Sequence, residues 1–302
     1  MKEHINIIID NYLQNRYTPE TAKAYKREIA IFLGNLPGAN KAIYKDLMNY
    51  LGTLRSRYSN ARTINRILAS IKVYYEFLNS TGQRKDNPAK SIRLRDKQSR
   101  EIQLQDLFTT KELESLMTGK KERYTILEYR NKVLMSLLIY QALHPMELEA
   151  ITLNDINLQQ GTIYIKSRSK TNSRELGLKP TQIMLFYQYI YEIRPNLLQT
   201  QHAEPCAVSY SEALIIGHRG EPMKSEDITK HIKRNYGNFF KGRKVNAQTI
   251  RQSVITNLLQ AGNDLRVVQT FAGHKYPSTT EKYKQTNVEA LKTAVNQYHP
   301  IR

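Results

Sequence analysis

The sequence is poor in the features on which secreted, cysteine-metal and membrane proteins depend. Its 302 residues include a single cysteine, Cys206, which excludes an internal disulfide and a cysteine-cluster metal site. One lone thiol is typical of a reduced, cytosolic protein. No apolar run reaches the roughly 18 residues needed to span a bilayer, and the N-terminal sequence lacks the cleavage pattern of a signal peptide. We therefore expect a soluble cytoplasmic protein without membrane contacts.

Acidic residues are scarce as well. The chain has 46 Lys and Arg against 27 Asp and Glu, a net charge of +19. The excess is uneven, because residues 1–100 carry 19 basic and 8 acidic side chains and therefore +11 of the total. This charge suits a polyanionic partner. The basic N-terminal third suits a domain that contacts mainly the sugar-phosphate backbone of DNA. A solvated basic surface without a partner is the alternative.

Residues 1–82 are predicted to form a helical domain. The clearest periodicity runs over residues 64–78 as one apolar stripe, which predicts a core-facing helix that ends near Gly82. Three basic residues lie off this stripe and face either DNA phosphates or water: Arg62, Arg66 and Lys72. We favour DNA contacts for them.

Residues 83–106 are predicted to form a basic linker, because the segment is charged, lacks apolar periodicity and contains Pro88. Residues 107–302 make up the second domain. Helices dominate it, but residues 162–165 and 174–178 have the composition of two hairpin strands. The expected fold is therefore mainly α with a small β-hairpin (α+β), in two domains.

Arg251, His274 and Tyr283 are the candidate catalytic residues. The first two are 23 positions apart and the last two are nine apart. A guanidinium can clamp two phosphate oxygens in a planar fork, an imidazole can donate a proton or a hydrogen bond to the same phosphate, and a phenol can act as a nucleophile. These three side chains suffice in principle to cut a phosphodiester without a metal.

The sequence around Tyr283 predicts its local structure. Ser278 is expected to be the N-cap of a short helix, with Glu281 closing a capping box. Tyr283 would then lie in the second turn of that helix. Residues 272–274, Ala-Gly-His, are expected to end the preceding helix.

Several segments follow one another in the order known for one protein family: residues 25–32, 63–78, 140–156, 250–262 and 272–283. Together they make the chain resemble, from about residue 5 to residue 299, a tyrosine recombinase of the phage-integrase family. The resemblance implies a helical, SAM-like domain that clamps double-stranded DNA together with a C-terminal catalytic domain. It also implies a cytoplasmic, nucleoid-associated protein that needs neither ATP nor a metal nor another cofactor.

The resemblance assigns roles to individual residues. Tyr283 would form a 3′-phosphotyrosine, and Lys170 on the hairpin would protonate the departing 5′ oxygen. The hairpin residues Lys166, Arg168 and Arg174 would contact DNA, although lysines on an exposed strand edge also serve solubility alone. Four protomers would assemble on paired DNA sites. The C-terminal helix, residues 287–302, would dock on a neighbouring protomer.

Two positions depart from the family pattern. His144 stands where the family has its first catalytic arginine, and Gln248 stands where it has its first histidine. An imidazole offers one hydrogen bond instead of a fork, and a carboxamide cannot act as an acid or base. Because Pro145 follows, His144 is also a candidate helix N-cap.

The predicted function is a site-specific recombinase or integrase that cleaves and rejoins DNA. Two alternatives remain open at the level of sequence. One is a DNA-binding relative that has lost most of its cleavage activity, and the other is an enzyme that nicks and reseals one strand without exchange.

Overall fold

A computed structural model describes residues 2–95, 106–119, 124–169, 171–199 and 212–284. The chain divides into two compact units, Met1–Arg100 and Glu101–Arg302. Helices dominate both units in their described parts, and a small antiparallel sheet belongs to the second. The expected fold class is confirmed.

The described part of the N-terminal unit consists of α-helices joined by short turns. They are α1 (Lys2–Arg16), α2 (Pro19–Asn35), α3 (Tyr44–Arg57) and α4 (Ala61–Ser80). α4 begins where the Asn60 side chain accepts a hydrogen bond from the backbone amide of Arg62 at 2.9 Å. It ends before Gly82, whose φ of 72° lies in the left-handed region that favours glycine.

α4 supplies much of this unit's core. The residues of the predicted stripe are all buried: Ile64, Ile67, Leu68, Ile71, Tyr74, Tyr75 and Leu78. Phe32 of α2 is fully buried and meets Tyr50 and Tyr74 edge to face, with ring centroids 5.2 and 6.0 Å apart. Each such side chain contributes about 1.5–3 kcal/mol when it leaves water. Apolar burial therefore accounts for the position of this helix.

The predicted linker begins later than expected. Ala89 and Ile92 are buried in the core of the N-terminal unit, and the amine of Lys72 donates to the carbonyl of Ile92 at 2.8 Å. Two apolar residues are too few to create a periodicity, so this packing could not be recognised from the sequence. Residues 83–95 thus belong to the N-terminal unit, and residues 96–105 lie outside the described part.

The second unit packs helices around a central apolar helix. Its helices are α5 (Thr110–Thr118), α6 (Thr125–Tyr140), α7 (Pro145–Ala150), α8 (Pro180–Tyr187), α9 (Arg194–Gln199), α10 (Ser225–Tyr236), α11 (Ala247–Gln260), α12 (Leu265–Ala272) and α13 (Pro277–Glu281). Residues Gln188–Ile193 continue α8 into α9 as a π-helical stretch. Leu134, Leu137 and Leu138 of α6 are fully buried, which places this helix inside the core.

The sheet has three antiparallel strands in the order β1 (Ile156–Asn157), β2 (Thr162–Ile165) and β3 (Arg174–Gly177). The predicted hairpin is confirmed, whereas the two-residue strand β1 is too short to be recognised from sequence. Ile163 pairs with Leu176, and Ile165 pairs with Arg174. Because side chains alternate between the faces of a strand, Arg174 shares the inward face with Leu176.

Candidate active site

Arg251 is anchored between the loop before α7 and the C-terminal end of α12 in the second unit. It lies in the second turn of α11, whose N-cap is Asn246: the Asn246 side chain accepts hydrogen bonds from two backbone amides. Its guanidinium donates to the carbonyl of Ala142 and, at 2.6 Å, to that of Ala272. Arg251 is 8% exposed. Burial lowers the pKa of its guanidinium, and the charge of Glu147 opposes that effect.

Glu147 is the central anion of the site. Its carboxylate accepts from Arg174 in a fork, Nη1 to Oε1 at 2.8 Å and Nη2 to Oε2 at 3.2 Å. The backbone amide of His144 donates to Oε2 at 2.9 Å, and Nη1 of Arg251 lies 3.6 Å from the same oxygen. Burial by itself raises the pKa of this carboxyl, but the Arg174 fork, the His144 amide and Arg251 together hold the pKa below its usual value.

Gly273 allows the hairpin to approach the site closely. Its φ of 70° ends α12 in the left-handed region, and a Cβ there would lie 2.3 Å from Nη1 of Arg174. The backbone amide of Asn172 donates to the carbonyl of Gly273 at 2.9 Å, and Thr171 forms a β-bridge with His274. Any larger residue at position 273 would displace the Arg174 guanidinium.

His274 is buried and uncharged near neutral pH. Its Nδ1 lies 2.9 Å from the hydroxyl of Thr280, which is itself fully buried. Burial, then the charges of Arg251 and Arg174, lower the pKa of His274 from 6.5 to about 4, against the opposing charge of Glu147. A neutral ring can donate or accept at Nε2, depending on which nitrogen carries the proton.

Tyr283 stacks on His274. The two ring centroids are 5.9 Å apart and the planes meet at 15°. Tyr283 also packs against the small cluster of Ile255, Val268 and Ala272. Burial raises the pKa of its phenol, and the charge of Arg251 partly offsets this. The phenol is therefore protonated at neutral pH and must lose its proton to act as a nucleophile.

The predicted helix around Tyr283 was wrong in detail. α13 begins at Pro277, with Tyr276 rather than Ser278 at the N-cap, and it has no side-chain cap. It ends at Glu281, so Tyr283 lies in the turn that follows, where its backbone amide donates to the carbonyl of Thr280 at 3.0 Å. The fixed φ of proline suits the first helical position, and this preference outweighed the capping box.

His144 is the N-cap of α7, the alternative role that its sequence suggested. Its Nδ1 accepts from the backbone amide of Met146 at 3.2 Å, and Glu147 closes the capping box from the third helical position. Burial and then the charge of Arg251 lower the pKa of His144. A shared neighbour, Glu147, therefore joins His144 to the Arg251 site.

The other predicted catalytic residues have no described contact with Arg251, His274 or Tyr283. Gln248 is exposed and lies one helical turn before Arg251 on α11. Lys170 lies outside the described residues, although Thr171, which follows it, is bridged to His274. The predicted C-terminal helix, residues 287–302, also lies outside them.

The predicted DNA contacts fall into two groups. Arg62 is exposed, Arg66 forms an ion pair with Glu28 at 2.8 Å, and Lys72 is half-buried on the Ile92 carbonyl. On the hairpin, Lys166 pairs with Asp155 at 2.9 Å, and Arg168 is half-buried. Any DNA contact by Arg66, Lys72 or Lys166 competes with these partners.

Arg174 differs from its predicted place on the DNA-facing surface. It is 6% exposed and held by Glu147. The strand period contains the signal for this burial, because a residue two positions before the core residue Leu176 points to the same face. Glu147 and Thr280 were missed: Glu147 is signalled only by its place three residues after a cap, and Thr280 by nothing in the sequence.

The arrangement suits an anion. Two buried guanidinium groups, of Arg174 and Arg251, share one buried carboxylate, and the nearby histidines His144 and His274 have lowered pKa values. One positive charge is therefore left over. A phosphate placed there would offset it and would raise the pKa of His274.

The described ranges contain no group of three or more His, Cys, Asp or Glu residues placed to hold a metal ion. None of the helices found there is both long and apolar enough to cross a bilayer.

Comparison with known proteins gives matches along most of the chain. Residues 106–290 match the model of the phage integrase family, and residues 10–82 match that of the phage integrase N-terminal SAM-like domain. The tyrosine recombinase XerD of Oceanobacillus iheyensis is 26% identical over 294 residues, which cover 95% of each chain. The tyrosine recombinase XerC of Lactobacillus delbrueckii subsp. bulgaricus is 26% identical over 302 residues, 96% of this chain and 97% of the relative.

Solved structures share the fold at lower identity. The Tn1549 transposon integrase in complex with a circular intermediate DNA superposes with a TM-score of 0.68 at 15% identity, over 97% of this chain and 99% of that one. The site-specific recombinase XerH bound to its difH substrate gives 0.67 at 18% identity, over 90% and 78% of the two chains. These likenesses establish the architecture.

Proposed function

The chain belongs to the phage integrase family, and we propose that Tyr283, Arg251 and His274 are the residues with which it cleaves and rejoins DNA at specific sites. Relatives along nearly its whole length are tyrosine recombinases. Site-specific recombination is therefore its function, and the assignment of roles to these three residues is the proposal.

The convergence of the three side chains carries this assignment. They come from α11, from the end of α12 and from the turn after α13, yet the Tyr283 ring stacks on His274. Arg251 in turn donates to the carbonyl of Ala272, two residues before His274. A nucleophile, a hydrogen-bonding imidazole and a phosphate clamp thus meet at one place, as the transfer of a phosphodiester requires.

The proposed reaction has two steps. The Tyr283 phenol loses its proton and attacks the phosphorus, and the bond to the 5′ oxygen breaks as a 3′-phosphotyrosine bond forms. The departing 5′ oxygen takes up a proton. In the second step a 5′ hydroxyl, from the partner duplex in recombination, attacks the phosphotyrosine and returns the proton to Tyr283. The phosphodiester count is unchanged, so no external energy source enters.

Electrostatics decides what each group contributes. Arg251 is charged despite its burial and keeps N–H donors beyond its two carbonyl bonds, since a guanidinium has five. It stabilises the extra negative charge of the transition state. Neutral His274 hydrogen-bonds a phosphate oxygen or relays the Tyr283 proton through Nε2. Lys170, which lies outside the described residues, is the acid proposed for the 5′ oxygen, and the bridge between the next residue, Thr171, and His274 supports this proposal.

His144 and Gln248 take supporting roles in this proposal. His144 fixes the start of α7 and hence Glu147 beside Arg251. Gln248, which is exposed and lies one turn before Arg251, is proposed to donate a hydrogen bond from its amide to a phosphate oxygen. Neither supplies a second fixed positive charge, so Arg251 carries more of the phosphate binding than it would beside a second arginine.

Double-stranded DNA is the proposed partner, bound by four copies of the chain on two paired sites. The net charge of +19 supports DNA binding, and two cuts on each of two duplexes need four nucleophiles. The segment 287–302 is proposed to dock on a neighbouring protomer. Its deletion should leave binding to a single site nearly unchanged while it weakens cooperative assembly and strand exchange. A truncated monomer that melts many degrees lower would show instead that the segment packs within its own chain.

Covalent capture tests the function. DNA that stays attached to the protein after denaturation of host cells is sequenced to find the target site, and a duplex nicked beside the cleavage position is built from it. Cleavage of this duplex releases a short fragment that carries the 5′ hydroxyl and diffuses away. Without that hydroxyl the strand cannot be resealed, so an SDS-resistant protein–DNA adduct should accumulate. Binding without an adduct would indicate a relative without cleavage activity. Joining of strands from two duplexes distinguishes recombination from nicking and resealing.

A further inference from the structure

Arg174 is a buried arginine for which the reaction described above has no use. Its Nη1 and Nη2 both bind Glu147, and its Nε has no hydrogen-bond partner in the described part of the chain although it is buried. An incompletely satisfied guanidinium in the interior is costly. Apolar residues of similar volume often replace a buried ion pair without loss of stability, so the position of this pair beside Arg251 points to a role in the site.

Glu147 can pair with either of two arginines. Oε2 lies 3.2 Å from Nη2 of Arg174 and 3.6 Å from Nη1 of Arg251. The fork to Arg174 uses both carboxylate oxygens, and the His144 amide adds a third donor. Arg251 thus stands just beyond ordinary hydrogen-bond distance from a carboxylate that is already occupied.

Without Arg174 this balance would reverse. Glu147 is 2% exposed and cannot turn to water, so Arg251 would be its only remaining cationic partner within 4 Å among the described residues. A short ion pair between the two would neutralise Arg251 and draw its donors away from the phosphate. Because His144 supplies no fixed charge, the site has no second clamp to compensate.

We propose that Arg174 is a positioning residue that occupies both oxygens of Glu147 and thereby keeps Arg251 free to bind the scissile phosphate. The inference rests on the proposed function of Arg251. Gly273 supports it, since the glycine leaves the space in which the Arg174 guanidinium reaches Glu147. Arg174 does not contact DNA in this role, in contrast to its sequence-based assignment.

The test measures single-turnover cleavage of the nicked duplex at saturating protein, with the rate constant, the reactive fraction and the DNA affinity determined separately. Arg174→Gln should slow cleavage about 100-fold, the usual effect of losing one transition-state donor, with affinity changed less than about threefold because backbone contacts dominate it. Adding Glu147→Gln to that variant removes the competing carboxylate and should restore at least about tenfold of the rate.

Arg174→Lys keeps the charge but cannot occupy both oxygens, so it should fold and cleave about tenfold more slowly. Arg194→Gln is the matched control: Arg194 is also buried in this unit and donates to the carbonyl of Ala213. It should lower the melting temperature and leave the rate constant unchanged. A merely structural role of Arg174 would reduce the reactive fraction, as in this control, without changing the rate constant.

If Arg174→Gln does not fold, the double variant and Arg174→Lys serve as the test in its place. Arg174→Lys at the wild-type rate, or a folded double variant as slow as Arg174→Gln, would overturn the inference. A wild-type protein that forms no adduct would overturn the proposed function itself, and an adduct formed equally fast by all Arg174 variants would overturn the inference alone.

Discussion

The two units of this chain treat buried charge in opposite ways. In the described part of the N-terminal unit, Glu28 is the one charged side chain that is buried, and it is paired from the surface by Arg66. The described part of the second unit buries five such side chains: Arg130, Glu147, Arg174, Arg194 and Arg251. Removing an ion from water costs several kcal/mol even after relaxation. Apolar burial therefore explains the interior of the first unit, whereas the second also retains buried charges, and two of them, Arg174 and Arg251, share Glu147 at the candidate site.

Tyr283→Phe should have the largest effect on the second unit, abolishing the covalent adduct altogether. The change removes the nucleophilic oxygen but leaves the basic surface that sets affinity, so DNA binding should stay within a few-fold of wild type. Electrophoresis under denaturing conditions and a binding titration measure the two effects. A variant that still forms the adduct would show that another tyrosine is the nucleophile.

Arg251→Gln tests whether buried charge in the second unit serves catalysis. Loss of this donor should slow cleavage by about 10²–10³-fold. The protein should still bind DNA, since one internal arginine contributes little to the contacts with the sugar-phosphate backbone of the DNA. Rapid-quench kinetics on the nicked duplex give the rate constant. Cleavage at an unchanged rate would remove Arg251 from the site.

The stability of the second unit should depend on pH through His274. The pKa of His274 is about 4 in the folded protein against 6.5 ordinarily, so between these values the unfolded chain binds more protons. The free energy of unfolding should therefore be highest above pH 6.5 and fall by about 3 kcal/mol as the pH drops to 4. Denaturant titrations across this range measure it, and His274→Gln should flatten the dependence.

DNA provides the control for that experiment. A bound phosphate offsets Arg251 and Arg174 and should raise the pKa of His274 towards its ordinary value. The loss of stability below pH 6.5 should then be smaller in the complex. An equal loss with and without DNA would indicate that no phosphate lies near His274.

His144→Arg asks whether a second fixed charge improves the site. The arginine cannot accept the hydrogen bond from the Met146 amide, so loss of this cap should lower the free energy of unfolding by about 1 kcal/mol. The cleavage rate should rise, or at least not fall, because a forked donor is restored near the phosphate. A slower but fully folded variant would show that His144 has a role of its own beyond the cap.

Arg66→Gln in the N-terminal unit should have the smallest effect. Glu28 keeps its second partner, Arg27, at 3.0 Å, so its buried carboxylate is not left unpaired. Cleavage at saturating DNA should be unchanged, while affinity weakens equally for all sequences and the salt slope falls by about 1. A slower cleavage rate at saturation would break the contrast between the two units.

Much of the local structure was predictable because it depends on neighbours in sequence. The α4 stripe, the β2–β3 hairpin and the end of α12 at Gly273 all follow from short-range patterns. The errors lay where two local signals competed, as at Pro277 and Ser278, or where too few residues carried the signal, as at Ala89 and Ile92.

The sequence by itself determined the fold class and the family, and it supplied the candidates for the reactive side chains, because spacing and residue chemistry are sufficient for these. Only the tertiary structure decided which charges meet. The fork from β3 to α7, the position of Arg251 between Ala142 and Ala272, and the Thr280 hydroxyl on His274 each join segments distant in the chain or in different elements. Ion pairs and hydrogen bonds act over a few ångströms, so no pattern along the sequence encodes them until the core has brought those segments together.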